Sequence, residues 1–300
     1  MSQLLCSVRQ TGTHPVQQSR VTLPASERPA VLTIAGFDPS SGAGVTADLK
    51  VFAAHRLYGL AAITALTVQS TQGVRRTQAI NPSILAETLA CLSEDIEISG
   101  VKIGMLATAE IISVAAKFIA DSGIPRKGIV LDPIIRSTSG RTLLDAAGLD
   151  RLSSELLPVV GWVTPNLDEL AELAGMDVSG RESIADAAGR LAAAYPGLNV
   201  VATGGHLEPP DDFLLTAEGA AHWLPGQRIE TNATHGTGCT FSSALLAQLV
   251  AGSAPVEAVR AVGAAKEYVR QAMERAYPVG KGRGPVNHLY LLDELQEQDG

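Results

Sequence analysis

A chain of 300 residues that is 46% hydrophobic but only 4% aromatic has to build its core from Ala, Val, Leu and Ile. At this length about three-quarters of the unfolded surface can be buried within one large α/β domain. Twenty-three basic against thirty-one acidic residues give a formal charge of −8, which excludes a broad nucleic-acid-binding face but leaves room for a local phosphate site. The three cysteines, Cys6, Cys91 and Cys239, form neither a CxxC pair nor a metal spacing, so a reducing compartment without disulfides is expected. No apolar run approaches the roughly 18 residues of a membrane span. Residues Met1–Pro29 lack the apolar stretch of a signal peptide and are rich in Ser, Thr, Gln and Pro. The expectation is a cytoplasmic protein with a disordered extension over 1–29 and one domain over 30–295.

In chain order, Ala30–Gly36 reads as a buried strand and Gly44–His55 as a helix with Val45, Leu49 and Phe52 on one face. Ala61–Val68 is a second buried strand, and Pro82–Asp95 a helix with Pro82 in its first turn. Then come a strand at Val101–Met105, a helix at Ala109–Asp121, and strands at Gly128–Asp132 and Gly161–Thr164. Helices follow at Leu167–Ala174 and Ser183–Ala194, with a strand at Asn199–Thr203. The runs Phe213–Thr216 and Ala221–Leu224 form an antiparallel hairpin. Long helices at Cys239–Ala251 and Pro255–Arg275 end the series. Strand–helix alternation with unalternating aliphatic strands predicts a mostly parallel sheet covered on both faces. Ligands of such sheets sit beyond the carboxyl ends of the strands, so the residues just after the strands carry the chemistry.

The first of these segments is Thr234-His235-Gly236-Thr237-Gly238-Cys239-Thr240, running directly into a helix. Glycines before a helix leave amides free, and the helix N-terminus adds partial positive charge, so Gly236, Thr237 and Gly238 can form an anion hole. No Lys-Ser/Thr pair follows, so it is not a Walker A loop. Cys239 in the first helical turn is either a thiol of lowered pKa, prepared as a base or nucleophile, or a small buried residue.

In Thr164-Pro165-Asn166-Leu167-Asp168-Glu169, Asn166 and Glu169 share a helical face. Such a pair either holds Mg²⁺ through water or caps the helix with acidic first-turn residues. Asp132, ending a strand, is a metal or phosphate ligand or the head of an Asp-Pro turn. Gly42-Ala43-Gly44-Val45-Thr46-Ala47 fits the dinucleotide fingerprint G-x-G-x-x-A, but five residues separate Gly36 from Gly42 and no acidic ribose anchor follows the second strand. A glycine-lined substrate loop fits better than an NAD site. Gln69 can donate and accept together, as an aminopyrimidine edge requires, or be a solvated loop residue. Met105 packs on a flat ring or fills the core.

The blocks TIAGFDPSSGAGVTADLK, ALTVQSTQGV, KIGML, VLDPII…TSG, TPNLDELAELAG, GGH, THGTGCT and GPVNH, spread from Val31 to His288, resemble those of the hydroxymethylpyrimidine/phosphomethylpyrimidine kinases of thiamine biosynthesis, within the ribokinase-like superfamily. The resemblance implies a three-layer sandwich, with a mostly parallel central sheet flanked by helices and a small antiparallel hairpin near 212–224. It implies ATP and Mg²⁺ as cofactors, a small pyrimidine as substrate, no nucleic-acid or membrane partner, and a homodimer. It places Gln69 on the pyrimidine, with Gly36, Asp48 and Met105 lining the same pocket. It makes Cys239 the base, Gly236–Gly238 the anion hole and Asn166 with Glu169 the magnesium motif. The chain departs from the family pattern at Thr203, where a phosphate-facing Lys is usual, at Phe37, and at Arg136 and Arg141. One of these arginines is expected to replace the missing lysine at the phosphate. Pyridoxal kinase activity and a catalytically weak pyrimidine-binding sensor are the alternatives.

Overall fold

Successive residues of a β-strand leave it on opposite sides, so a strand that is apolar at every position must feed two cores. The first strand does this. In a computed structural model that describes residues 28–137, 140–205, 207–250 and 257–293, β1 (Ala30–Phe37) sends Leu32 and Ile34 to one apolar core and Val31 to the other. The remaining strands are β2 (Tyr58–Ser70), β3 (Gly73–Ala79), β4 (Ile98–Ile103), β5 (Ile129–Leu131), β6 (Trp162–Val163), β7 (Asn199–Ala202), β8 (Asp212–Leu215) and β9 (Ala221–Leu224). They form one sheet in the order β3-β2-β1-β4-β5-β6-β7-β8-β9. The run from β2 to β7 is parallel, and β3, β8 and β9 join antiparallel at the two edges.

The helices sort by core. α1 (Gly44–Ala54), α7 (Thr237–Val250) and α8 (Ala258–Glu274) cover the face that receives Val31, Val130, Trp162 and Val201. The other face, with Leu32, Val101, Leu131 and Val200, is covered by α2 (Pro82–Asp95), α3 (Ala109–Asp121), α5 (Leu167–Ala174) and α6 (Arg181–Ala194), with the short α4 (Ala146–Arg151) beside them. This is the expected three-layer sandwich, hairpin included. The extension expected over 1–29 and the start of the last helix at Pro255 lie largely outside the described residues.

One expectation needs correction, and one strand was not expected at all. Ala61–Val68 is not buried throughout: Leu66 and Val68 are about half exposed, because β2 runs past β1 and pairs there with β3. β3 itself, Gly73-Val-Arg-Arg-Thr-Gln-Ala, carries too little apolar character to be read as a strand. It is a polar edge strand, held by its partner rather than by a core.

One charged pair lies wholly inside the sandwich. Lys102, in the middle of β4, and Asp48, on the buried side of α1, are both inaccessible, with Nζ 3.0 Å from each carboxylate oxygen. Thr33 and Ser243 donate to the same carboxylate at 2.6 and 2.8 Å. Gly104 leaves room for the lysine head, since a Cβ there would come within 2.8 Å of Nζ. Burial works to lower the Lys102 pKa, but the surrounding Asp48, Cys239 and Asp132 outweigh it and hold the ammonium above its ordinary range.

Removing one partner of such a pair strands the other charge, at about 3–5 kcal/mol. Lys102→Met should therefore lower the urea unfolding free energy by that amount, and the double variant Lys102→Met/Asp48→Asn should recover much of it. A single variant within about 1 kcal/mol of the parent would contradict the pairing.

Candidate active site

The chain leaves β1 at Phe37 and enters α1 at Gly44 through a loop organised by one carboxylate. Asp38 Oδ1 accepts from the Ser40 amide and hydroxyl at 2.8 and 2.7 Å, and Oδ2 from the Gly42 and Ala43 amides at 3.2 and 3.0 Å. A fifth donor, His235 Nε2, reaches Oδ2 at 2.7 Å. Burial opposes ionisation of Asp38, yet His235 and Ser40 together hold its carboxyl below the usual range.

The glycines of the loop serve close packing. Gly44 has φ +60° and a Cβ there would lie 2.2 Å from the Gly36 carbonyl oxygen. Gly236 has φ +83° and its Cβ would lie 1.8 Å from the Gly42 oxygen. Only glycine allows both the left-handed backbone and the contact. The two glycine turns thus touch, bringing the first loop against the N-terminus of α7. The G-x-G-x-x-A fingerprint is part of this contact.

α7 begins at Thr237, so the amides of Thr237, Gly238 and Cys239 fall in its first turn, where no intrahelical acceptor exists. Above Gly238 the nearest atoms are the Asp132 carboxylate oxygens, 3.7 and 4.0 Å from a notional Cβ. Ser242, one turn on, donates to Asp132 Oδ2 at 3.2 Å. Cys239 is buried, and its thiol lies close enough to the Asp132 carboxylate for each to shift the other's ionisation.

Here the lowered pKa expected from the helix N-terminus is overturned. Burial pushes the Cys239 thiol up to about 12, with Asp132 and Asp48 adding to the rise and Lys102 and the Gly44 amide only partly offsetting it. The residue is a thiol at neutral pH. Asp132, itself pushed up to about 6 by burial despite Lys102, stands ready as its acceptor.

Asn166 and Glu169 form a reciprocal capping box at the start of α5. The Glu169 amide donates to Asn166 Oδ1 and the Asn166 amide to Glu169 Oε2, each at 3.0 Å. The capping alternative is therefore realised, and it does not exhaust the pair. Glu169 is buried, and burial together with the Asp132 charge pushes its carboxyl up to about 8. Two buried carboxylates this close offer hard oxygen ligands of the kind a divalent cation takes.

Thr203 follows β7 and bridges to Asn166, with its amide and hydroxyl turned to the Pro165 oxygen at 2.9 and 3.4 Å. The arginines expected to replace its lysine are engaged elsewhere. Arg136 faces Glu172 at 3.9 Å and Thr142 at 3.3 Å, and Arg141 donates to the Arg75 oxygen of β3 at 2.7 Å. No contact among the described residues brings either guanidinium to the α7 N-terminus.

Of the residues expected to line the pyrimidine pocket, Gly36 and Met105 meet: a Cβ on Gly36 would fall 2.4 Å from Met105 Cε. Gln69, near the end of β2, lies 3.2 Å from His235 Nε2 and 3.3 Å from the Thr67 hydroxyl. Asp48 does not line the pocket as expected. It has no exposed surface, and its oxygens are taken by Lys102, Thr33 and Ser243, so it supports the floor. Sequence reasoning passed over Lys102, Asp38 and His235. A lysine inside the aliphatic run Val101-Lys-Ile-Gly was the available signal, since a strand buried on both faces tolerates a cation only when it is paired.

The phosphomethylpyrimidine kinase family model matches residues 38–287. The chain is 38% identical over 266 residues to a hydroxymethylpyrimidine/phosphomethylpyrimidine kinase of Streptomyces coelicolor, covering 89% of this chain and 96% of that one. It is 38% identical over 273 residues to the thiamine biosynthesis bifunctional protein ThiED of Geobacter sulfurreducens, 90% of this chain but 54% of that longer protein. Among solved structures, the ADP complex of Bacillus subtilis pyridoxal kinase superposes with a TM-score of 0.77 at 33% identity, over 87% of this chain and 97% of the other. The phosphomethylpyrimidine kinase of Clostridium difficile 630 does so with 0.71 at 32% identity, over 82% and 99%. With its glycine turns, buried thiol and carboxylate pair at the carboxyl edge of a ribokinase-like sheet, the chain belongs to the phosphomethylpyrimidine kinase family.

Proposed function

We propose that this kinase transfers the γ-phosphoryl group of ATP to the hydroxymethyl group of 4-amino-5-hydroxymethyl-2-methylpyrimidine, and then to the resulting monophosphate, in thiamine biosynthesis. The observation that carries the reading is the Cys239 thiol, buried in the first turn of α7 beside the Asp132 carboxylate. ATP use is supported by the ADP complex of the related pyridoxal kinase.

The residues divide the work by position. Gly236 lets the chain turn so that the Thr237–Cys239 amides face the transferred phosphoryl group, whose equatorial oxygens carry the charge of a loose transition state. The substrate oxygen bonds to phosphorus as the bond to the leaving ADP oxygen breaks. The alcohol proton passes to Cys239 Sγ while the thiol proton passes to Asp132, so no free thiolate is needed. A carboxylate with a pKa near 6 is a better acceptor than an ordinary one.

Glu169 and Asp132, with Asn166 beside them, would hold Mg²⁺ largely through water. When bound, the ion supplies charge neutralisation for the phosphates. Gln69, Gly36 and Met105 form the pyrimidine end. Pyridoxal is the competing substrate, on the strength of the structural likeness to the Bacillus subtilis enzyme.

The direct test is coupled ADP release from the pyrimidine alcohol, its monophosphate and pyridoxal. The pyrimidines should give the higher kcat/KM, and turnover confined to pyridoxal would reverse the assignment. Cys239→Ala should lower kcat about 10²-fold or more with little change in the KM for ATP, and Cys239→Ser, which can still relay a proton, should fall between. An alanine variant with parental kcat would remove the cysteine from the reaction.

The Glu169 carboxyl is raised from 4.5 to about 8 in the folded chain. Between those values the unfolded chain ionises and the folded one does not, so this group destabilises the fold as pH rises through that window. Bound Mg²⁺ needs the ionised form. The rise in Tm on adding Mg²⁺ should therefore be larger at pH 8.5 than at pH 6.5, and Glu169→Gln should remove that difference. An equal Mg²⁺ effect at both pH values would contradict the assignment.

A further inference from the structure

The contacts around Gln69 impose a proton count that only one amide orientation satisfies. Asp38 Oδ2 already accepts two backbone amides and lies 2.7 Å from His235 Nε2, so that nitrogen must carry the hydrogen and give it to the carboxylate. Gln69 approaches the same Nε2–H at 3.2 Å with the amide end assigned as Nε2, which would set a donor against a donor. Only the amide oxygen can face it there, as the second acceptor of a shared hydrogen.

At the other end, the Thr67 hydroxyl lies 3.0 Å from the Phe37 carbonyl oxygen and 3.3 Å from the Gln69 atom assigned as Oε1, an assignment that a flip of the amide exchanges with Nε2. A hydroxyl has one hydrogen, and the carbonyl can only accept. Thr67 therefore donates to Phe37 and receives the Gln69 N–H. Both demands turn the amide the same way, with its oxygen toward His235 and its nitrogen toward Thr67.

We infer that His235 and Thr67 are positioning residues that lock the Gln69 amide in this orientation, so that it binds an aminopyrimidine in one direction only. This rests on the proposed role of Gln69 in the pyrimidine site. One oxygen lone pair remains on the His235 side and one N–H on the Thr67 side. The exocyclic amine of the ring pairs with the oxygen, and the adjacent ring nitrogen pairs with the N–H. The carbon bearing the hydroxymethyl group lies next to the amine, on the side away from that ring nitrogen. This direction places the hydroxymethyl group toward His235 and hence toward Gly236–Cys239, four residues along the same turn. The opposite orientation of Gln69 would favour the ring with the hydroxymethyl group turned away from the helix.

The test compares the aminopyrimidine alcohol with its analogue lacking the exocyclic amine, as KM and kcat for His235→Leu, Thr67→Val, His235→Gln and Gln69→Ala. His235→Leu should raise the KM for the aminopyrimidine roughly three- to tenfold, the range of one hydrogen bond, and should hardly change the KM for the analogue. Thr67→Val, a change of similar shape on β2, should raise the KM for both compounds, because both keep the ring nitrogen. His235→Gln, which still offers an N–H to Asp38 and Gln69, should recover most of the loss. Equal losses for both compounds in His235→Leu, or unchanged KM values in both His235→Leu and Thr67→Val while Gln69→Ala is impaired, would overturn the locking role alone. An unimpaired Gln69→Ala would overturn the pyrimidine contact together with it. Should His235→Leu not fold, Thr67→Val decides, and an unchanged KM there overturns the inference.

Discussion

The chemistry of this site rests on one ion pair that never meets solvent. Lys102 and Asp48 sit inside the sandwich between the sheet and the layer of α1 and α7. Their charges set the field under Cys239 and Asp132. Asp48 also ties three elements together, through Thr33 of β1, Lys102 of β4 and Ser243 of α7. The helix that begins at Thr237 is thereby referenced to β1 and to β4, the strand that leads to Met105. A buried pair of this kind is weak as a source of stability, since desolvation offsets much of the attraction. Its value here is positional and electrostatic.

The field explains how a chain of net charge −8 can handle triphosphate and pyrimidine phosphate. Positive potential is available from the amides of Thr237–Cys239 in the first turn of α7, while the buried ammonium is balanced by Asp48. The surface arginines that seemed suited to the task from sequence are occupied with Glu172, Thr142 and the β3 backbone. The carboxylates of Asp132 and Glu169 are raised by burial, so they hold protons more readily than exposed acids. Bulk charge and local potential are separate quantities, and the site is built from the second.

Most of the parallel core was legible in the sequence, because aliphatic strands between amphipathic helices leave little choice of layer. α2 and α5 begin where Pro82 and the Asn166–Glu169 pair put them, and α3 spans the expected Ala109–Asp121. β3 was not legible: a polar edge strand carries no periodic signal, and its partner β2 looked fully buried because its overhang keeps Leu66 and Val68. At the site, the glycine turns and the Asn166–Glu169 pair could be read from spacing. The pKa of Cys239 could not. A helix N-terminus argues for a lowered value, and only three-dimensional burial beside two carboxylates reverses it. The contacts of Gln69 likewise join the end of β2, residues 67 and 69, to Asp38 and His235, which are distant in sequence.

The protonation state of Cys239 separates this account most sharply from a thiolate mechanism. In a Cys6→Ser/Cys91→Ser background Cys239 is the sole thiol, and its ionisation can be followed by thiolate ultraviolet absorbance against pH. The expected result is a thiol that remains protonated through about pH 10 and becomes easier to ionise in Asp132→Asn, which removes an opposing charge. A thiolate appearing near the ordinary value of about 8.5, unmoved by Asp132→Asn, would contradict it.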